Sequence, residues 1–340
     1  MPALAPIGLD IGSVSIRAIE VTRKDRPIIH NFGQAAMPEG AIVGGVVKDE
    51  RAVTQAIRQL WTSHDFKSKS VVIGVTHQQV VVREVEISNL PAKELRQALP
   101  FQVSDVLPLP VEQAVLDFHP LEKAEKKDTI RGLLVAAPKE AIIDTVHAVE
   151  KAGLHVEQVD LSCFAALRAA AQPIPGTEAI VDIGATGTNI VIHTAGIPHI
   201  VRTIPRGGYE ITKLMSERLN MSMADAEMLK CRVGLVRGEG PESADVIEEA
   251  IRPLINEIRS SISYYTGAHP DQRVARLCLV GGASLLPGLT EQLHRATNIA
   301  TAVVDPLQYV GDSRRGGRHD HLGKFSASAA VAIGLTLRAA

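Results

Sequence analysis

Short β-branched runs alternate with amphipathic stretches along this chain, and that alternation predicts α/β layering. Runs at 7–10, 15–21, 70–75, 80–87, 132–136, 179–183, 188–194 and 276–280 read as strands. Helical spacing predicts a helix over 50–62, with Val53, Ile57 and Leu60 on one face. A second is predicted over 139–152, closed by Gly153 just past its end. A longer one is predicted over 243–265, with Val246, Ile251, Leu254, Ile258, Ile262 and Tyr265 near one stripe. Pro-containing breaks fall at 89–92 and 106–110, and the A-Q-P-I-P-G stretch at 171–176 separates two halves. A basic, Gly-rich segment at 312–321, with His319 and His321, reads as a solvated loop rather than a metal site.

The pattern also repeats. I-G-L-D-I-G-S-V-S-I at 7–16 recurs as A-I-V-D-I-G-A-T-G-T-N-I at 179–190, and the two aspartates are 172 positions apart. Each copy is a strand, then Asp-Ile-Gly, then small residues, then another strand. Two halves that open with the same hairpin predict duplicated α/β domains facing one another across a cleft.

Composition sharpens this picture. At 340 residues the chain is long enough for two domains. Lys+Arg 36 against Asp+Glu 38 gives a net charge of −2, which excludes a global basic field for nucleic acid. Aromatics are only 3% of a chain that is 45% hydrophobic, so base-stacking platforms and aromatic sugar clefts are not expected. Cys163, Cys231 and Cys278 are widely spaced and read as small buried side chains in a reducing compartment. No basic region followed by an apolar run opens the chain, and no stretch approaches the ~18–20 apolar residues of a membrane span. A cytoplasmic protein without direct membrane insertion is expected.

The hairpins suggest chemistry. A tight turn of small residues between strands points several backbone N–H groups at one spot, which makes a nest for an anion such as phosphate. A carboxylate beside that nest would repel phosphate unless a cation lay between them, and Mg²⁺ needs only one or two carboxylates plus phosphate oxygens and water. Asp10 with Gly12, Ser13, Val14 and Ser15, and Asp182 with Gly184, Ala185, Thr186, Gly187, Thr188 and Asn189, are therefore candidates to clamp phosphates from two sides. Asp10 and Asp182 would hold Mg²⁺ through water. A third element, G-G-A-S-L-L-P-G at 281–288, follows an apolar strand, and the bare backbone of Gly281 and Gly282, with Ala283 and Ser284, leaves room for a nucleoside. No GxxxxGK[ST] occurs, so the device is not a P-loop.

The order of D-I-G-S at 10–13, D-I-G-A-T-G-T at 182–188 and G-G-A-S-L-L-P-G at 281–288 resembles the superfamily of actin, sugar kinases and chaperone ATPases. The likeness runs over essentially the whole chain. It implies an actin-like (RNase H-like) α/β fold of duplicated domains around a nucleotide cleft, with a small inserted α+β subdomain. The implied division is 1–79 with 156–178 and 326–340 as the first core, and 80–155 as the insert. The second core is 179–208 with 274–325, and 209–273 forms a helical subdomain. Segments 159–168 and 327–335 resemble the superfamily's two small-residue connecting helices.

Within that superfamily the chain is similar to the PilM family of type IV pilus assembly. The likeness rests on P-E-G-A-I-V-G-G-V-V-K-D at 38–49, 92–110 running into A-V-L-D-F at 114–118, V-A-A-P-K-E at 135–140, G-L-H-V-E-Q-V-D at 153–160 and A-E-M-L-K at 226–230. The cell-division FtsA family is the cousin that shares the insert. FtsA ends in an amphipathic membrane helix, whereas this sequence stops at L-R-A-A after the second connecting helix, which weighs against that reading. The resemblance implies ATP or ADP with Mg²⁺ as ligands. Glu227 and Lys230 would face the ribose, with an exposed ion pair as the alternative, and Gly207 and Gly208 would approach the nucleotide. Asp160 is the candidate for activating water, with a helix N-cap as the competing role. The partner implied is the cytoplasmic N-terminal peptide of a PilN-like inner-membrane protein, docked in a groove between insert and core, where Val80–Val82 and 106–111 are candidate walls. Pilus motor ATPases and a second copy of the chain are further implied partners. A scaffold or switch with slow or absent turnover is expected, peripheral to the inner membrane, with an FtsA-like protein or a small-molecule kinase as alternatives.

Overall fold

The computed structural model describes residues 5–22, 27–121, 128–172, 174–312 and 321–337. The chain opens with an antiparallel meander, β1 (Ile7–Ile11), β2 (Ser15–Thr22) and β3 (Ile28–Ala36). A two-stranded ribbon, β4 (Ile42–Val43) and β5 (Val46–Val47), leads to helix α1 (Glu50–Ser63). Asp49 starts that helix by accepting the Ala52 N–H at 3.0 Å, and Val53, Ile57 and Leu60 are buried as their spacing predicted. Strand β6 (Ser70–Val75) then joins β1 in parallel.

The insert follows as β7 (Val81–Ser88), α2 (Ala92–Val103), β8 (Ala114–Pro120), β9 (Thr129–Pro138) and α3 (Lys139–Lys151). Its three strands form a separate sheet with β9 in the middle. Gly153, at φ +91, occupies the left-handed position past α3. Strand β10 (His155–Leu161) returns to the first sheet beside β6, and α4 (Ser162–Ala170) leaves it.

The second half repeats the plan with β11 (Thr177–Ile183), β12 (Thr188–Thr194) and β13 (Ile197–Ile204) as an antiparallel meander. Helices α5 (Gly208–Arg218), α6 (Met223–Val233) and α7 (Pro241–Ala268) come next. The apolar stripe of α7 is buried at Ile247, Ile251, Leu254, Ile258, Ile262 and Tyr265, whereas Val246, expected on it, is only partly covered. Strand β14 (Val274–Val280), α8 (Leu289–Thr297) and β15 (Ala300–Val303) complete the second sheet. A short β16 (Gly311–Asp312) joins β3, and α9 (His321–Phe325) precedes α10 (Ala330–Thr336). Most of the predicted loop at 312–321, His319 included, lies outside the described residues.

Both large sheets share one order. The first runs β10-β6-β1-β2-β3-β16 and the second β13-β12-β11-β14-β15, so in each a three-stranded meander is extended by two parallel strands beside its first member. The period-two pattern of the strands assigns their faces. Ala179, Val181 and Ile183 pack under the helices of the second half, while Ile180 points to the opposite cluster. Ile7, Leu9, Val71 and Ile73 likewise pack with α1 and α3, while Val72 joins the opposite cluster, and Val75 at the end of β6 joins it too, out of step with the alternation.

Between the two sheets lie α4 and α10. Helix α10 packs on β1, β2 and β6 of the first sheet, whereas α4 contacts β11 and β12 of the second, and the two helices pack on one another. Their crossing needs bare backbone. A Cβ on Gly334 would stand 1.8 Å from the Ala165 carbonyl oxygen, and one on Gly8 would stand 2.2 Å from that of Ala332. Ala165, Ala166, Ala169, Ala170, Ala329, Ala330 and Ala332 are buried in the core around the two helices, beside larger residues such as Leu167, Ile333 and Leu335. Gly334→Val is expected to force the crossing apart and lower stability by ~1–3 kcal/mol in urea unfolding. An unchanged midpoint would contradict the close approach.

Candidate functional site at the twin strand–turn–strand elements

The repeat places two equivalent turns at the ends of equivalent strands. Gly12 N–H donates to the Ser15 carbonyl at 3.0 Å, and Gly184 N–H donates to the Gly187 carbonyl at 2.9 Å. A Cβ on either Gly12 or Gly184 would lie 2.9 Å from that same carbonyl oxygen. Asp10 and Asp182 sit two residues before these glycines, and their register partners on the next strand are Arg17 and Asn189. The turns meet: the Thr186 hydroxyl donates to Ser13 Oγ at 2.8 Å.

Two carboxylates that face one another within the fold resist ionisation. Burial pushes the Asp10 carboxyl up from its ordinary value, with Arg17 opposing from 3.7 Å. Asp182 is pushed up to about 6, by burial first and then by the charge of Asp10, while Asn189 at 3.4 Å and Arg17 oppose the shift. Asn189 is itself oriented by the Thr203 hydroxyl, which donates to its Oδ1 at 2.9 Å. Beneath them Cys163 is buried, and its thiol is pushed up to about 12 by burial and then by Asp160, with a smaller contribution from Asp182. Of the other cysteines, Cys278 is buried, whereas Cys231 is exposed, contrary to expectation, because its place on α6 faces away from the helix packing.

The remaining candidates converge on the second turn. Gly208 N–H donates to the Gly184 carbonyl at 3.0 Å and Tyr209 N–H to the Ala185 carbonyl at 2.8 Å, so the turn covers the start of α5. A Cβ on Gly207 would reach 2.4 Å from the Gly184 carbonyl oxygen, and one on Gly208 would lie 2.9 Å from Ala283 Cβ. Gly281, at φ +88, takes a left-handed conformation that brings its backbone against Asp182, where a Cβ would stand 2.5 Å from Oδ1. Its N–H donates to the Ala327 carbonyl at 2.8 Å, Gly282 follows in the same turn, and the buried Ser284 hydroxyl donates back to the Gly281 carbonyl at 2.7 Å.

Lys230 is buried, and its Nζ donates to the Gly208 carbonyl at 3.1 Å, Thr212 Oγ1 at 2.9 Å and Glu227 Oε2 at 2.6 Å. Burial acts to raise the half-exposed Glu227 carboxyl, but hydrogen bonds from Lys230 and Thr212 outweigh it and hold the group below its ordinary value. The pair is thus anchored to the start of α5 rather than loose on the surface. Thr188 is fully buried, and its hydroxyl donates to the Arg206 carbonyl at 2.8 Å, which gives it a structural partner. Val14 is exposed at the tip of the first turn, where its carbonyl accepts the Met37 N–H at 3.0 Å.

Asp160 does not cap α4. The N-cap position is Leu161, one residue later, and Asp160 accepts the Leu161 N–H through Oδ1 at 2.8 Å while Oδ2 pairs with Arg168. Sequence reasoning passed over Arg17, Tyr209 and Glu39. Arg17 could have been found, because it stands opposite Asp10 where Asn189 stands opposite Asp182. A separate cavity of about 600 Å³, lined by Leu235, Arg237, Glu248, Gly288 and Arg295 among others, involves none of the candidate residues. Among the described residues no three His, Cys, Asp or Glu side chains form a ready metal cage.

An acid whose folded-state value lies above its unfolded one stabilises the fold only while protonated. That contribution is complete below about 3.8 for Asp182 and is lost as pH rises through about 6. Asp182→Asn is therefore expected to stabilise the ligand-free chain by ~1–2 kcal/mol at neutral pH, and much less near pH 4. Thermal melts that are identical at both pH values would contradict this.

Comparisons with known proteins fit this geometry. A family model described as type IV pilus assembly protein PilM matches residues 8–340. The cell division protein FtsA of Bacillus subtilis (strain 168) is 23% identical over 261 residues, covering 67% of this chain and 58% of that protein, so this chain spans less than two thirds of that relative. The solved structure of a PilM–PilN type IV pilus biogenesis complex is similar at a TM-score of 0.86 and 26% identity, covering 99% of both chains. MreB5 of Spiroplasma citri bound to ADP shares the fold at a TM-score of 0.56 and 13% identity, covering 98% of this chain and 96% of that one. The architecture is therefore actin-like, and with a match over nearly its whole length the chain belongs to the PilM family of type IV pilus assembly proteins.

Proposed function

We propose that this chain is an ATP-binding scaffold or switch of type IV pilus assembly, which grips Mg²⁺·ATP between its twin turns and connects it to an inner-membrane partner. The observation that carries the nucleotide half is the meeting of two equivalent Asp-Ile-Gly turns, joined at Ser13 and Thr186, beside Gly207, Gly208, Gly281 and Lys230. The site fits a divalent cation. Burial raises the cost of charge on both carboxylates, the charge of Asp10 adds to it at Asp182, only Arg17 and Asn189 oppose, and a cation would relieve both. Asp10 and Asp182 would hold Mg²⁺ through water, and the ion would offset phosphate charge against them. That the related MreB5 structure holds ADP supports the same ligand class.

Glu227 and Lys230 serve the ribose in this reading. Slow or absent turnover is supported by Asp160, whose carboxylate pairs with Arg168 and accepts the Leu161 N–H, partners that lower its strength as a base. The described residues include no helix long and apolar enough to cross a membrane, so the membrane link runs through a partner. The PilM–PilN complex supports a PilN-like protein in that role, and the proposed contact is that protein's cytoplasmic N-terminal peptide.

The insert is placed to pass that contact on, because α3 packs on α1 of the first half while β7 lies against β13 of the second. Val82 and Leu109, from the two candidate wall segments, are buried in the fold itself, so the peptide would meet their neighbours. Pilus motor ATPases and self-association belong to the same reading. Immobilised cytoplasmic peptide from a PilN-like protein is expected to capture the purified chain, which should release phosphate from ATP only near background. Failure to bind this peptide, with capture by a cell-division partner instead, would favour the FtsA-like alternative.

A further inference from the structure

The P-E-G-A motif at 38–41 has no part in the site described so far, yet its geometry is specific. The Ala41 N–H donates to the Pro38 carbonyl at 3.2 Å, and Gly40 has φ +77, the positive value required at the third residue of a type II turn. Glu39 is thereby held at the corner of a tight turn and exposed to solvent. Its carboxylate accepts a hydrogen bond from the Tyr209 hydroxyl, 170 positions away in the other half of the molecule.

Both partners are tied to the twin turns. The segment carrying Glu39 is fastened to the first turn, because Met37 N–H donates to the Val14 carbonyl at 3.0 Å. Tyr209 is fastened to the second, because its own N–H donates to the Ala185 carbonyl at 2.8 Å. A phenol is a donor at neutral pH in any case, and the hydrogen bond to Glu39 raises it further above its ordinary value. The Ser13–Thr186 contact also joins the two turns, but its hydroxyls belong to the turns themselves and would turn to a phosphate. The Glu39–Tyr209 bond uses side chains outside both turns and can persist with the cleft filled.

We propose that Glu39 and Tyr209 form a clasp that holds the two lips of the cleft together and sets the rate at which nucleotide leaves. The clasp rests on the nucleotide reading above, and it gives the Pro38–Ala41 turn a function. One charge-assisted hydrogen bond is strong enough to govern such an opening, and its loss acts on release more than on capture.

The test is displacement of a fluorescent ATP analogue by excess ATP in stopped flow. Tyr209→Phe, which keeps the ring, is expected to speed release about tenfold, and Glu39→Gln, whose amide oxygen still accepts, to speed it less. Release rates unchanged in both variants would overturn the clasp. A second readout needs no nucleotide. In a Ser13→Cys/Thr186→Cys chain the two thiols stand where the hydroxyls touch, and adding Tyr209→Phe should slow their oxidative cross-linking several-fold. Equal cross-linking rates would also overturn the proposal. Absence of analogue binding by the unaltered chain, with cross-linking still dependent on Tyr209, would count against the nucleotide reading and leave the lip-closing contact standing.

Discussion

Everything at the cleft depends on how closely α4 and α10 can cross. No side chain fits between Gly334 and the Ala165 backbone, and alanines are buried in the core around the two helices. Packing at that distance brings two sheets of the same strand order face to face across a helix pair. The ends of β1 and β11 then point their Asp-Ile-Gly turns at one another, near enough for Ser13 and Thr186 to share a hydrogen bond. A bulkier crossing would separate the halves, and the site would become two unrelated turns.

The same closeness creates an electrostatic problem. Asp10 and Asp182 are partly buried near one another, and the carboxyl of Asp182 is pushed up to about 6. A fold selected for stability alone would not keep such a pair, since buried like charges destabilise it. In the proposed reading a bound cation would offset both charges. The neighbourhood is well ordered: Asn189 is oriented by Thr203, Lys230 is fixed by the Gly208 carbonyl and Thr212, and the backbone of Gly281 lies against Asp182.

Local features were legible in the sequence, and distant ones were not. The hairpins, the long helix α7 and the order of the insert's elements follow from periodicity and turn residues within short windows. Strands β3, β10 and β13 escaped that reading for physical reasons. Polar His30 and Asn31 interrupt β3, a register shift between Val156 and Gln158 disturbs β10, and Pro198 falls inside β13. Asp160 was legible as important but not in role, because its partner Arg168 lies two turns along α4 and no capping pattern announces it. Glu39 and Tyr209 could not be paired at all, since nothing periodic connects residues 170 positions apart. Arg17 was available through the repeat, which equates its position with that of Asn189.

The central claim is that the two turns act on one ligand, and a double-mutant cycle measures it most directly. Calorimetric titration of Mg²⁺·ATP into the wild type, Asp10→Asn, Asp182→Asn and the double variant gives four affinities. Each single variant should weaken binding at least about tenfold, ~1.4 kcal/mol, and the double variant should lose clearly less than the sum, because one bound ion is shared. Single variants that bind as tightly as wild type, or losses that simply add, would contradict a shared site.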